Sequence, residues 1–180
     1  MLAGLTISPP SRVLFAMSNH NDVYVYTVTD AGRSRRLASL LPEESTRQHG
    51  LKSFAIVGEF TQAEGEEETF TTNPQYIDFL NWAIARHVAH CPGLVAEAQK
   101  EQNGHMYITD ARGRAQGSAL TEDDIIGVAE IENGKVVRYA GNQNYQPFSR
   151  QYGFMVIEPW LNQKIREEMA IQVAGPQQVA

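Results

Sequence analysis

The sequence predicts an α+β fold in which an antiparallel sheet built from hairpins packs against two or three helices. Three observations carry that expectation. Short runs rich in valine, tyrosine and isoleucine recur between turn residues. One long segment repeats its apolar residues at helical spacing. Strands and helices do not alternate regularly enough for a doubly wound parallel sheet, and there is no internal repeat.

Residues 12–17 and 22–29 read as the first two strands, with Asn19, His20 and Asn21 as the loop of a hairpin. In the second run Val23, Val25 and Thr27 alternate with Tyr24, Tyr26 and Val28, so both faces carry large side chains. Asp30 to Gly32 breaks the run. Ser34 then suggests the cap of a short helix reaching Leu41 and stopped by Pro42. Residues 51–60, with an apolar centre at 54–57, predict a third strand. Residues 61–72 hold Glu64, Glu66, Glu67 and Glu68, and like charges resist compaction, so this stretch reads as a mobile acidic loop.

The clearest helix spans 74–91. Asn73 is placed to cap it, Pro74 suits its first turn, and Pro92-Gly93 ends it. Ile77, Leu80, Ile84, Val88 and Cys91 form its apolar stripe. A second helix over 94–102 closes at Asn103-Gly104. Residues 105–109 predict a strand, and Thr121 followed by Glu122, Asp123 and Asp124 predicts a capped helical turn. Asn133-Gly134, between two apolar runs, predicts a type I′ hairpin with Val128 opposite Tyr139 and Ile131 opposite Val136. Residues 141–153 read as a loop and 154–157 as a late strand. A terminal helix from Pro159 carries Leu161, Ile165 and Met169 on one face, and residues 174–180 read as a frayed tail.

Composition narrows the class of protein. The chain has 180 residues, of which 42% are hydrophobic. That suits one globular domain over residues 1–180 with a packed core. Cys91 is the lone cysteine, which rules out an intrachain disulfide and points to a reducing, cytoplasmic setting. The apolar stretch at 2–7 is too short for a signal-peptide core, and no run approaches the roughly 18 apolar residues of a membrane span. The net charge of −6 disfavours nucleic acid as a partner.

Candidate chemistry is sparse. His49 follows Arg47 just before a core strand, where a histidine can act as an acid or base and an arginine can bind an anion. Arg33 and Arg36 offer further guanidinium groups for such an anion. Asp110, at a strand end, suits a catalytic carboxylate or an ordinary turn former. His87 and His90 have the three-residue spacing that brings two ligands to one side of a helix. Helix-end histidines facing the dipole explain them better, so no metal is predicted. Cys91, in the apolar stripe, is a poor nucleophile. The chain has no nucleophile elbow, Walker phosphate loop or dinucleotide fingerprint, and no cofactor is predicted.

Two functions follow. The first is a non-enzymatic binding or regulatory module that contacts a protein partner or forms a homodimer, using aromatic-rich strands and the terminal helix near Trp160. The alternative is a small enzyme acting on an anionic metabolite, with His49 as acid or base, Asp110 orienting the site, and Arg33, Arg36 and Arg47 holding the anion.

Overall fold

A computed structural model describes residues 6–8, 11–13, 23–30, 33–62, 67–114 and 117–175. The fold class is α+β, with antiparallel sheets assembled from hairpins. The chain divides into two compact units, Met1–Tyr76 with Met169–Ala180, and Ile77–Glu168.

The first unit is built on strands β1 (Thr6–Ile7), β2 (Ser11–Val13), β3 (Val23–Asp30), β4 (Arg33–Ser39), β5 (Ile56–Thr61) and β6 (Thr69–Thr72). They run antiparallel in the order β1-β3-β4-β5-β6, and β2 pairs with β3. The predicted pairing of the first two strands is therefore present, although residues 14–22, including the expected loop at 19–21, lie outside the described residues. Alternation decides which face of the sheet is filled. Tyr26, Val28 and Leu37 project together into a cluster joined by Ile7, Tyr24, Leu51 and Ile56. The Tyr26 hydroxyl donates to the Leu41 carbonyl at 2.7 Å and accepts from the Thr46 hydroxyl at 3.2 Å, so the one polar atom of this large buried side chain is satisfied.

Two expectations are corrected here. Residues 34–39 are strand, not helix, because β4 pairs with β3 on one side and β5 on the other. Ladder bonds on both edges outweigh the weak helical preference of a few arginines. The helix comes later, as α1 (Glu43–His49), with Pro42 at its N-terminal cap position instead of stopping a helix. The acidic stretch is also shorter than a loop over 61–72 would be, since Thr69–Thr72 pairs with β5. Residues 63–66 lie outside the described residues.

The second unit contains most of helix α2 (Pro74–His87), a 3₁₀ turn at Val88–His90, helix α3 (Pro92–Glu101) and strands β7 (Gly104–Thr109), β8 (Ile125–Glu132) and β9 (Lys135–Gly141). A short ribbon of β10 (Phe148–Ser149) and β11 (Gly153–Phe154) precedes helix α4 (Pro159–Ala174). Asn73 caps α2 as predicted, its Oδ1 accepting from the Gln75 N–H at 3.1 Å. Thr121 and Asp124 form a reciprocal capping box around the 3₁₀ turn Glu122–Asp124. In α4 the stripe Leu161, Ile165 and Met169 is buried and extends to Val173.

The Asn133-Gly134 turn has both residues at positive φ, 50° and 73°, the type I′ signature. Ile131 faces Val136 as expected, but Tyr139 faces Ala129 rather than Val128. The register shift falls between Glu130 and Ile131, where Val137 is the extra residue of a bulge in β9. One inserted residue moves all later pairs by a position.

Candidate functional site

The most completely built polar cluster of the second unit lies where β7 ends. Asp110 is 1% exposed and Arg112 5% exposed. Asp110 Oδ1 accepts the backbone N–H groups of Arg112 at 2.9 Å and Val156 at 2.8 Å. The first of these bonds closes an Asx turn, the structural role open to an aspartate at a strand end. Oδ2 accepts from the Tyr145 hydroxyl at 2.5 Å and faces Arg112 Nε at 3.2 Å. Arg112 also donates through Nη2 to the Gln146 carbonyl at 2.8 Å and lies over the Tyr145 ring. Of the Arg112 guanidinium nitrogens, Nη1 is buried with no hydrogen-bond partner among the described residues. The arrangement staples β7 to the loop containing Tyr145 and to the segment before α4. The carboxylate thus accepts three hydrogen bonds and is ion-paired with the Arg112 guanidinium.

The remaining candidates are distributed as follows. His49 is exposed at the end of α1, and Arg47 two residues earlier is exposed and paired with Glu43. Arg36 pairs with Glu68 and covers the Phe60 ring at 5.2 Å. Arg33 pairs by backbone with Asp30 at the start of β4. These residues belong to the first unit, and Asp110 to the second.

His87 Nε2 bonds Glu168 Oε1 at 2.8 Å, while His90 is exposed at the end of the 3₁₀ turn. Among the described residues no three histidine, cysteine, aspartate or glutamate side chains group as metal ligands. Cys91 is buried and donates its thiol to Glu158 Oε2 at 3.2 Å, and burial pushes that thiol up from its ordinary value. The same Glu158 oxygen accepts the Leu161 N–H at 2.8 Å near the start of α4.

Glu168 carries a testable linkage. Burial pushes its carboxyl upward, but hydrogen bonds from His87 and Arg86 and the Arg86 charge together outweigh that effect and hold it below the ordinary glutamate value. A group lowered in the folded state contributes stability that is complete above the unfolded value and disappears as pH falls through the folded one. Glu168→Gln is therefore expected to cost about 1 kcal/mol at pH 7, a small figure because Arg86 is largely exposed. Urea titrations repeated down to acid should show the gap between wild type and variant closing below the glutamate range. A gap that widens in acid would contradict this account.

The other feature of this unit is a surface. On the outer side of the three-stranded sheet, Tyr107, Val128 and Ala140 form one cross-strand row, and His105, Glu130 and Arg138 form the next. Tyr107 is 56% exposed, and Val137, in the bulge, is 51% exposed. The inner side is covered. Tyr139 donates to Asn81 of α2 at 3.0 Å, and a Cβ on Gly141 would lie 2.2 Å from the Asn81 side chain. Sequence reasoning singled out neither Tyr107 nor Val137. The sign available was the strand 105–109 itself, whose alternation leaves a tyrosine opposite the buried Ile108 side.

No protein-family model, curated protein or solved structure matches the chain. Among the described residues no helix is long and apolar enough to cross a membrane.

Proposed function

We propose that the chain is a binding module that contacts a protein partner through the outer face of the β7-β8-β9 sheet, and not an enzyme centred on His49 and Asp110. The observation that carries this is the row of exposed Tyr107, half-buried Val128 and exposed Ala140, flanked by Val137 and by the mixed-charge row His105, Glu130 and Arg138. Half-exposed aromatic and aliphatic side chains with a polar margin have the composition of a contact surface. The engagement of Asp110, Arg36 and Arg47 by partners within their own units supports the same choice. Those side chains work as structural ties.

The test is retention of partners by the immobilised full chain, compared with the Val137→Lys variant, together with light scattering over a concentration series. Val137 is exposed, so lysine there is compatible with folding. Association with a different protein should weaken at least about tenfold in the variant, the equivalent of roughly 1.4 kcal/mol. A wild-type chain that stays monomeric and retains nothing would defeat the proposal.

A further inference from the structure

We infer that the partner is a second copy of this chain, joined by antiparallel pairing of the free edge of β7 with itself. This rests on the sheet of the second unit being the contact surface. β7 is an edge strand bonded to β8 alone, and its backbone groups pointing the other way have no partner among the described residues. Unpaired edges are templates for another strand, and proteins ordinarily blunt them with lysine, proline, bulges or short length. The opposite edge, β9, is blunted in this way by Lys135, Arg138 and the bulge at Val137. The β6 edge of the first unit is four residues long and is preceded by Glu67 and Glu68. β7 has six residues, Gly-His-Met-Tyr-Ile-Thr, with no aspartate, glutamate, lysine or arginine.

That absence of charge favours a copy of the chain over other occupants. A twofold contact places each side chain near its own duplicate or its symmetry-related neighbour, so a charged edge would oppose itself. Pairing centred on Met106 also matches shapes. Opposed residues in an antiparallel pair share a face, so Gly104 would meet Ile108 of the copy on the inner side, a small residue against a large one. On the outer side His105 would meet Tyr107 of the copy, extending the exposed rows across the axis.

Sedimentation velocity of the full chain over a wide concentration series tests the inference. A reversible dimer is expected, with hydrogen exchange in the 104–109 segment slowing as concentration rises while 135–141 stays unchanged. Tyr107→Lys should raise the dissociation constant at least about tenfold without loss of folded signal. Adding His105→Glu to Tyr107→Lys sets opposite charges against each other twice across the axis and should restore much of the affinity. A dimer indifferent to Tyr107→Lys, or a double variant no tighter than the single one, overturns the pairing. A chain that is monomeric throughout but retains a different protein in a manner sensitive to Val137→Lys overturns the self-association and leaves the binding module standing. A monomer with no partner removes both.

Discussion

Asp110→Ala should destabilise the second unit by about 3–5 kcal/mol, the range for stripping the counter-ion from a buried charge. The carboxylate accepts three hydrogen bonds and is ion-paired with Arg112, which is almost wholly enclosed. Alanine leaves two backbone N–H groups and a tyrosine hydroxyl without their acceptor and a guanidinium without its neutralising partner. Graded substitutions separate these contributions. Asp110→Asn keeps the volume and an acceptor for the backbone donors, so it should cost less, about 2–3 kcal/mol. Tyr145→Phe removes one hydroxyl and should cost about 1–2 kcal/mol. Trp82 and Trp160, the two tryptophans of the chain, both belong to this unit, so their fluorescence follows its unfolding in urea. A loss below about 1 kcal/mol for Asp110→Ala, within reach of ordinary surface changes, would show that the staple does not hold the unit together.

This cluster shows what the sequence made legible. An aspartate at the end of an apolar run announces a turn, and the Asx bond from Arg112 N–H is that turn. Its other partners, Tyr145 and Val156, lie 35 and 46 positions further along, and no local pattern connects them. The same division runs through the fold. Asn73-Pro74, Thr121 with Asp124, and Asn133-Gly134 act within a few residues, and each forms the cap or turn its chemistry dictates. The helix expected at Ser34 failed because strand pairing with β3 and β5 decides that segment. The Val137 bulge moved Tyr139 by one position for a comparable reason: β9 is shaped by what α2 and β8 place beneath it.

His87 follows the same logic. Its place near a helix end was readable, but Glu168, the carboxylate that occupies it, is 81 positions away. The acidic run at 64–68 was legible as charge, whereas the pairing of Glu68 with Arg36 required the β4-β5 register. The open face of the second sheet was hidden for a different reason. Alternation tells which side chains share a face, and only the packing of α2 tells which face is left to solvent.

In the first unit, Gly58→Ala is expected to cost about 3 kcal/mol, at the upper end of ordinary overpacking. A Cβ at this position would lie 2.4 Å from both the Phe70 ring and the Thr71 carbonyl oxygen. The phenyl ring, stacked edge-on against Phe60 at 4.9 Å, has some room to turn. The carbonyl has none, because it belongs to β6, whose Thr72 is paired directly with Gly58 in the ladder. Relief would require β6 to withdraw from β5. The expected signature is therefore local as well as global: lowered stability with the fastest gain in hydrogen exchange at Thr69–Thr72. Phe70→Ala in the Gly58→Ala background separates the two clashes. If the ring were the main obstacle, the double variant would recover most of the loss relative to Phe70→Ala alone. With the backbone oxygen decisive, most of the penalty persists, and a full recovery would show that β6 tolerates the extra methyl.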